Sequence, residues 1–494
     1  MRIAIVGAGF AGVASAKVLR QLGHHVTVFE KTADVGGVWS ATRRYPGLRT
    51  QNDKGTYSLS DLPMPRDYPE WPSGQQVQAY LEEYVARFGL ASCIRLRTEV
   101  TWATPSPGGG WDVTLAYGGV PRDAVHFDHL VLASGIFSRP FVPAFPGTDT
   151  LTAAGGQILP SSDLHSLEQV RGRHAIIVGY GKSACDIAVE VATAAASTTV
   201  VARELLWKMP RKVSNLLNYK YLMLTRLGEG LFPYRTVSGP EKLLHANGSA
   251  LAGNMLGGVE KVTTRQLKLR ELGLIPRGTF SDIARSTVSL ATEGFFEGVE
   301  SGIISVKRDT VINRFLEKNG HPCAELASGE LLPADVVLTA TGWNQEIPFL
   351  PRHVMDQLTD QNGDYLLYRQ IYPVRVPDLT FAGYNSSFFS PLSAEVSAIW
   401  IGSYLGGNHR LPPPPEMEAR VRERLAWMRE RSQGKHARGT NVIPFSMHNI
   451  DEVLSDVGID VPRRVKALQW LLPPRPGSYR SITPKLARRL GVTP

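Results

Sequence analysis

Two glycine-rich segments of the chain have the residue types and spacing that bind the pyrophosphate of a dinucleotide. The first is Gly7-Ala8-Gly9-Phe10-Ala11-Gly12, after the apolar run 3–6, and the second is Gly179-Tyr180-Gly181-Lys182-Ser183-Ala184, after the run 175–178. The first glycine allows a tight turn, the second lets the phosphates approach the backbone, and a small third residue lets a helix pack on the strand. Two such sites in one chain indicate a flavoprotein that takes hydride from a nicotinamide nucleotide.

The residue that ends the next strand differs between the two segments. Glu30 follows the strand-like run 25–29, and a carboxylate there accepts hydrogen bonds from the ribose hydroxyls and repels a 2′-phosphate. Arg203 follows the run 199–202, where a guanidinium can pair with a 2′-phosphate, unless it is an ordinary surface arginine. Lys182 and Ser183 are predicted to add a positive charge and a hydroxyl donor at the second pyrophosphate. The first site therefore favours FAD or NAD, and the second favours NADPH.

These motifs require strand–turn–helix units, which sets the predicted fold class. It is α/β, with two Rossmann-like dinucleotide-binding domains and the NADPH domain inserted into the FAD domain. We expect residues 1–165 and 325–445 to form the FAD-binding domain and residues 166–324 the NADPH-binding domain, with a helical insertion at about 205–300. Residues 446–494 are predicted to be a C-terminal extension packed on the FAD domain.

The bulk composition narrows the class of protein. The chain has 494 residues, 43% hydrophobic and 20% charged, as is usual for a soluble globular protein. The net charge of +9 comes without a long basic run, so the Lys and Arg are interpreted as a dispersed, solvated surface and no nucleic-acid partner is expected. No apolar run approaches the roughly 18 residues that span a bilayer, so no transmembrane anchor and a cytoplasmic location are predicted. The three cysteines, Cys93, Cys185 and Cys323, form no redox pair or metal-ligand spacing, which argues against a disulfide reductase and against a metal site.

Three further motifs occur in a fixed order after the first glycine turn. They are Gly36-Gly37-Val38-Trp39, then Tyr45-Pro46-Gly47-Leu48-Arg49-Thr50, then the run 57–65, Tyr-Ser-Leu-Ser-Asp-Leu-Pro-Met-Pro. With both glycine motifs, this order resembles the flavin-containing monooxygenases, which are class B flavoprotein monooxygenases. The resemblance covers almost the whole chain and implies FAD and NADPH as cofactors.

The same resemblance implies which side chains meet the flavin. Trp39 is expected to lie against FAD, and Gln51 and Asn52 are the candidate catalytic positions at the reactive edge of the ring. Which of these two amides points at the ring stays open, as does the alternative that both bond their own loop backbone. The predicted cofactor-binding residues are Gly7, Gly9, Phe10, Ala11, Gly12, Glu30, Lys31, Gly37, Val38, Trp39, Thr50, Gln51, Asn52, Val100, Ser134, Gly179, Gly181, Lys182, Ser183, Ala184, Arg203, Thr341 and Gly342.

The resemblance also implies the reaction. NADPH reduces FAD, reduced FAD reacts with O₂ to give a C4a-peroxyflavin, and this oxygenates a soft nitrogen or sulfur nucleophile of a small organic substrate. Two alternatives stay open. A Baeyer–Villiger monooxygenase acting on ketones needs an arginine near the flavin, for which Arg43, Arg44 and Arg49 are the candidates. An uncoupled NADPH oxidase is suggested by Pro160, which takes the place of the His in the family's identifying sequence. The oligomeric state is open, with a homodimer as one option.

Two further runs predict how peripheral segments pack. Apolar residues at helical spacing predict core packing of the insertion, in preference to a lid or a membrane-contacting patch; they are Leu216, Leu217, Tyr221 and Leu224. A second apolar stripe, on a helix after Pro412–Pro415, consists of Met417, Val421, Leu425 and Met428.

Overall fold

The computed structural model of the chain describes residues 1–237, 239–246, 249–285 and 289–492. Positions 238, 247–248 and 286–288 of the predicted insertion, and positions 493–494 of the predicted extension, lie outside the described residues. The described chain folds around two parallel sheets, with smaller antiparallel sheets and helices around them. Strands and helices are numbered in chain order.

The strands are β1 Arg2–Val6, β2 His25–Phe29, β3 Ile94–Arg95, β4 Thr98–Pro105, β5 Trp111–Tyr117, β6 Val120–Pro121, β7 Val125–Phe127, β8 His129–Leu132, β9 Arg139–Pro140, β10 Gln157–Pro160, β11 His174–Val178, β12 Ser197–Ala202, β13 Lys208–Met209, β14 Lys212–Val213, β15 Leu217–Asn218, β16 Ser289–Leu290, β17 Ile304–Arg308, β18 Ile312–Lys318, β19 His321–Leu326, β20 Leu331–Pro333, β21 Val336–Thr339, β22 Trp343–Asn344, β23 Leu367–Tyr368, β24 Tyr372–Pro373 and β25 Leu379–Phe381.

The α-helices are α1 Phe10–Gln21, α2 Gly74–Arg87, α3 Thr148–Ala153, α4 Lys182–Val191, α5 Lys220–Met223, α6 Arg226–Gly230, α7 Pro240–Ala246, α8 Ser249–Gln266, α9 Phe295–Glu300, α10 Arg352–Leu358, α11 Ser390–Leu405, α12 Pro414–Ser432, α13 Ser446–Val457, α14 Arg463–Leu468 and α15 Ile482–Arg489.

The first sheet has the strand order β25-β8-β1-β2-β3, and every pair in it is parallel. Its central strands are short apolar runs because both faces of a parallel sheet are covered. Helices α1 and α11 pack against each other beside this sheet, and α11 is buried along most of its length. The strand and helix predicted around the first glycine motif are thus β1 and α1.

The second sheet has the order β10-β21-β11-β12-β17 and is also parallel. Two of its strands, β10 at 157–160 and β21 at 336–339, lie outside the predicted range 166–324, so the predicted boundaries are wrong at both ends. Parallel strands pair across long connections, and the order along the chain does not reveal which distant strand completes a sheet. Pro160 ends the edge strand β10, where a residue without an N–H removes no ladder hydrogen bond.

The insertion is less helical at its start than predicted. Residues 212–218 form the hairpin β14–β15, in which Leu216 is 86% exposed and Leu217 is 44% exposed. Tyr221 is also exposed, whereas Leu224 is buried. The core-packing prediction is therefore wrong for three of its four residues. The predicted stripe on α12 is confirmed, since Met417, Val421, Leu425 and Met428 are all buried.

The C-terminal helices pack on the two helices beside the first sheet. Helix α13 packs against α11, and α15 contacts α1. Within the described ranges, no helix has both the length and the apolar character that crossing a membrane would require.

A buried ionic cluster joins the insertion to α13. His448 Nδ1 bonds Glu229 on α6, and His448 Nε2 lies 3.0 Å from an oxygen of Glu241 on α7. The backbone N–H groups of Met447 and His448 also donate to Glu229, each over 2.9 Å. Burial lowers the pKa of His448, but hydrogen bonds to the two carboxylates and their charges outweigh it and raise the pKa to about 10.

We expect His448→Gln to destabilise the protein by about 3 kcal/mol near neutral pH, because two buried carboxylates lose their counter-charge. The pKa of His448 is raised above its ordinary value of 6.5, so its stabilisation is complete below that pH and is lost as the pH rises through about 10. Thermal unfolding of both proteins across this range should show curves that converge at high pH. His126→Gln, at an exposed pair with Asp112, is the matched control and should change little. Parallel curves would contradict the assignment.

Candidate cofactor-binding site

The first glycine turn follows β1 and lies between the ends of β2 and β8. The N–H of Gly7 donates to the carbonyl oxygen of Phe29 over 2.8 Å. Gly7 has φ +104°, and a Cβ there would lie 2.7 Å from the carbonyl oxygen of Ala133. A Cβ on Gly12 would overlap the carbonyl oxygen of Gly7, so α1 can approach the turn only with glycine at this position.

A second glycine loop lies against this turn. The N–H of Gly36 donates to the carbonyl oxygen of Ala8 over 3.1 Å. The Cα of Gly37 lies 3.5 Å from the position of a Cβ on Gly9. The two glycine loops therefore pack directly against each other beside the place where a pyrophosphate is expected.

Aromatic rings pack beside the two loops. Phe10 at the start of α1 meets Tyr57 edge-on at a centroid distance of 5.5 Å, and Trp39 meets the same ring at 5.7 Å. Val38 is partly buried against this core, and Ala11 is buried in α1. Trp39 thus has a packing partner in the protein, and its contact with FAD stays a prediction.

The carboxylate of Glu30 is fixed at the end of β2. One oxygen accepts the N–H of Ala8 over 2.8 Å, and the other accepts the N–H of Thr32 over 2.9 Å. The side chain is buried beside the turn, where a ribose is expected. Lys31 is exposed, and Val100 is buried in β4, whose first residue donates its N–H to the carbonyl oxygen of Glu30 over 2.9 Å.

Asn52 is the more enclosed of the two candidate amides. Its Nδ2 donates to the carbonyl oxygen of Phe388 over 2.6 Å, just before α11 begins. The hydroxyl of Thr50 donates to the carbonyl oxygen of Asn52 over 2.7 Å and fixes this loop. Asn52 is buried and therefore rigidly held between the motif loop and α11.

Gln51 instead contacts the insertion. Its Oε1 accepts the N–H of Leu290 over 3.2 Å, and its carbonyl oxygen accepts the hydroxyl of Tyr219 over 2.7 Å. The backbone partners of both side-chain amides are distant in sequence, and the one local partner, Thr56 Oγ1 at 3.4 Å from Asn52 Nδ2, is a side chain. The alternative that the amides bond their own loop backbone is therefore wrong. The insertion thus borders the loop that is predicted to face the flavin.

The second glycine turn repeats the geometry of the first. The N–H of Gly179 donates to the carbonyl oxygen of Val201 over 2.9 Å. Gly179 has φ +126°, and a Cβ there would lie 2.6 Å from the carbonyl oxygen of Ala340. No described atom lies within 4 Å of a Cβ on Gly181, so this position faces open space, and Ala184 is buried where α4 meets the sheet.

Lys182 does not point into that space. Its Nζ pairs with Asp186 one turn along α4 and lies 3.2 Å from the hydroxyl of Thr292. Burial lowers the pKa of Lys182, and the charge of Asp186 opposes this shift. The prediction that Lys182 places its charge at the pyrophosphate is not met in this structure, because the i,i+4 carboxylate holds the ammonium.

Tyr45 connects the first half of the site to α4. Its hydroxyl donates to Ser183 Oγ over 3.1 Å and lies 3.3 Å from Asp186 Oδ2. Burial raises the pKa of Tyr45 well above its usual value, so it remains a neutral donor. Gly47 also packs against Glu190 of α4. The motif at 45–50 therefore contacts α4 beside the second sheet through Tyr45 and Gly47, and the start of α2 through the carbonyl oxygen of Leu48.

Arg203 follows β12 directly and is exposed. It forms no ion pair with any residue that the structure describes. Its neighbour Glu204 is paired with Lys435 at 3.2 Å, which draws that carboxylate away. The guanidinium of Arg203 is therefore available to an anion at the ribose end of the second site.

Ser134 and the pair Thr341–Gly342 lie on the two segments that cross between the sheets. Ser134 Oγ is hydrogen-bonded to the hydroxyl of Tyr384 at 3.0 Å. The crossing segments pair with each other antiparallel through β9 and β22. Next to this pair, Phe141 donates its N–H to Gly342 over 2.9 Å and accepts the hydroxyl of Thr341. Thr341 and Gly342 thus belong to one hydrogen-bonded unit with Phe141, and Ser134 is held separately by Tyr384.

Comparison with known proteins finds similar sequences among the flavin-dependent monooxygenases. The family model described as flavin-binding monooxygenase-like matches residues 1–240. A flavin-containing monooxygenase 1 from Canis lupus familiaris is 28% identical over 452 residues, covering 86% of this chain and 77% of that protein. The chain is similar to the flavin-containing monooxygenases over most of its length. The predicted enzyme class, a flavin-dependent monooxygenase with FAD and NADPH as cofactors, is confirmed at this level.

Solved structures agree on the fold. S-allyl-L-cysteine S-oxygenase from Allium sativum is 18% identical, with a TM-score of 0.63 over 99% of this chain and 93% of that chain. A cyclohexanone monooxygenase bound to ε-caprolactone is 19% identical, with a TM-score of 0.69 over 93% of this chain and 98% of that chain. Both likenesses show the mixed α/β architecture that the sequence predicts.

Several residues of the site were not singled out from the sequence. Tyr219 reaches Gln51, and Lys208 of β13 is buried with its Nζ 2.8 Å from the carbonyl oxygen of Tyr180 in the second turn. Asp186 holds Lys182 and Tyr45 together. Only Asp186 carried a local signal, its i,i+4 spacing from Lys182; the others depend on tertiary contacts.

The two glycine positions allow a direct test of the site. We expect Gly181→Ala to leave the fold intact, since its Cβ meets open space, and to raise KM for NADPH about tenfold, because a methyl group would stand where the phosphates approach. Gly12→Ala should instead prevent stable folding or FAD retention, because its Cβ overlaps the backbone of Gly7. Steady-state kinetics and bound flavin per chain report the two effects. Unchanged NADPH kinetics in Gly181→Ala would remove this turn from the site.

Proposed function

We propose that this enzyme binds FAD at the first glycine turn and NADPH at the second, and oxygenates a nitrogen or sulfur nucleophile of a small organic substrate. The observation that carries this proposal is the matched pair of turns on two parallel sheets, one ending in buried Glu30 and the other in exposed Arg203. The carboxylate of Glu30 suits FAD, which has no 2′-phosphate, and the guanidinium of Arg203 suits NADPH, which has one. Tyr45 joins the two halves, so the two cofactors would meet between them.

The residues fit the cofactors by their geometry. Glu30 would hold the ribose hydroxyls of FAD, and the N–H groups at the start of α1 would face its pyrophosphate. When bound, FAD takes hydride from NADPH and uses O₂ to transfer one oxygen atom to the substrate while the other leaves as water. The fixed amide of Asn52 and the Gln51 loop would position the ring edge, and the insertion would limit access of water.

The surroundings of the candidate arginines favour a soft nucleophile over a ketone. Arg43 donates to the carbonyl oxygen of Phe137 over 2.5 Å and lies over the ring of Trp343. Arg44 is bound to Gln78 and to the carbonyl oxygen of Trp39. Arg49 is exposed. Two of the three arginines that a Baeyer–Villiger reaction could use are thus engaged elsewhere. The buried, unpaired state of Cys93, Cys185 and Cys323 fits the proposed cytoplasmic location.

Arg203→Ala should raise KM for NADPH about tenfold and leave KM for NADH nearly unchanged, because a charge-assisted contact contributes about 1.5–3 kcal/mol. Steady-state kinetics with both nucleotides measures this difference. Arg270→Ala changes another exposed arginine between the predicted boundaries of the same domain and serves as the control. Equal losses with NADPH and NADH would remove Arg203 from the 2′-phosphate site.

A stopped-flow experiment tests the oxygenase reaction itself. FAD-loaded enzyme is reduced with NADPH without oxygen and then mixed with O₂ while the flavin absorbance is followed. We expect a transient band, distinct from both oxidised and reduced flavin, that decays faster when a thioether or tertiary amine is present than when a cyclic ketone is present. Faster decay with the ketone would favour the Baeyer–Villiger alternative.

Reoxidation without a transient, with one H₂O₂ formed per NADPH for every substrate, would contradict the oxygenase proposal. It would favour the uncoupled oxidase. Pro160→His then tests the cause, because Pro160 ends an edge strand and the replacement disturbs no ladder hydrogen bond. Recovery of the transient in this variant would assign the uncoupling to that position.

A further inference from the structure

The positive charge of the chain is concentrated at its C-terminal end. Residues 463–489, called here the basic C-terminal segment, hold eight of the 54 Lys and Arg and none of the 45 Asp and Glu. The rest of the chain is therefore nearly neutral. The prediction that the Lys and Arg are dispersed over the surface is wrong for this segment. Six arginines of the segment are exposed and form no ion pair with another described residue: Arg463, Arg464, Arg475, Arg480, Arg488 and Arg489.

Large apolar side chains project from the same segment. Leu468 is 61% exposed, Leu471 is 70% exposed and Leu472 is 47% exposed. Exposed leucines are ordinary when single, but three within five residues form a local apolar knob. In the sequence, this knob of three leucines is preceded by Arg464 and followed by Arg475.

The segment is held firmly to the body of the protein. The N–H of Arg226 donates to the carbonyl oxygen of Gln469 over 2.8 Å, and its Nε donates to Gln469 Oε1 over 3.1 Å. Gln469 in turn donates to the hydroxyl of buried Tyr479 over 3.1 Å. These contacts hold Gln469, which lies between Leu468 and Leu471, against the body of the protein, and the neighbouring leucines remain exposed to solvent.

We propose that the basic C-terminal segment docks on an anionic lipid surface. Leucines enter the headgroup region while arginines pair with lipid phosphates, which is the combination that holds a protein on a membrane without spanning it. A second copy of the chain fits this face poorly, because two-fold contact would bring two sets of these unpaired arginines together, whereas Lys466 is already paired with Asp451 and Asp460. Nucleic acid would satisfy the arginines but would leave the leucines in water.

Co-sedimentation of the FAD-loaded enzyme with phosphatidylcholine vesicles, with and without phosphatidylglycerol, tests the proposal. We expect binding only with the anionic lipid and a loss of binding at high salt. The double variant R463Q/R464Q should bind about 25-fold more weakly, at about fivefold for each arginine near the surface. The triple variant L468S/L471S/L472S should also release the protein, while flavin content and NADPH kinetics stay unchanged in both.

Two control variants test whether the effect depends on this segment or only on the number of arginines and apolar side chains removed. R87Q/R352Q removes two exposed arginines elsewhere, and I303S/V311S removes two exposed apolar side chains elsewhere; both should bind like the unmodified enzyme. Absent binding, equal binding to neutral vesicles, or insensitivity to the leucine changes would overturn the proposal. So would a dimer that dissociates in the leucine variant, or tighter binding to DNA than to vesicles. None of these outcomes bears on oxygenation, which the kinetics report independently.

Discussion

The first glycine of each turn lies against the backbone that leaves the adjacent strand of its own sheet. A Cβ on Gly7 would lie 2.7 Å from the carbonyl oxygen of Ala133, and one on Gly179 would lie 2.6 Å from that of Ala340. Real Cβ atoms do not approach backbone oxygens so closely, so each turn closes only with glycine. Ala133 and Ala340 open the two crossing segments, which pair through β9 and β22. The steric fit at two glycines therefore links both nucleotide turns to the hinge between the sheets.

A polar network gives the two halves a defined relative position. Tyr45 reaches both Ser183 and Asp186, and Asp186 also holds Lys182 and Thr292. A buried ion pair contributes little net stability, but breaking it leaves an uncompensated charge, so such a network favours one arrangement over others. Its place between the motif loop and α4 connects the glycine turn of the second sheet to the loops beside the first. The lysine predicted to bind phosphate instead serves this junction.

The local parts of the site could be predicted from the sequence, because glycine turns, strand ends and the residues that follow them depend on neighbouring backbone. The positions of Glu30 and Arg203 at the strand ends followed from spacing alone. The contact of Gln51 with Leu290, and the pairing of β10 and β21 in the second sheet, could not be predicted, since they form only after long connections of the chain close. The charge interpretation failed for another reason: no long run of consecutive basic residues occurs, yet acidic residues are absent from the whole C-terminal segment. The local net charge depends on the acidic residues that are missing as well as on the basic residues present, so consecutive basic residues alone are a poor guide to it.

Neither fold nor cofactor chemistry decides whether such an enzyme oxygenates a sulfur, a nitrogen or a ketone, since an S-oxygenase and a cyclohexanone monooxygenase share this architecture. The difference must arise where the substrate meets the flavin edge. Gln51 is the residue proposed to border that edge, and the insertion contacts it through Tyr219 and the N–H of Leu290. The backbone of both glycine turns lies outside the insertion, which contacts the second turn through Lys208. Substrate choice in this enzyme is therefore expected to reside in residues 205–300, and cofactor choice in the strand ends.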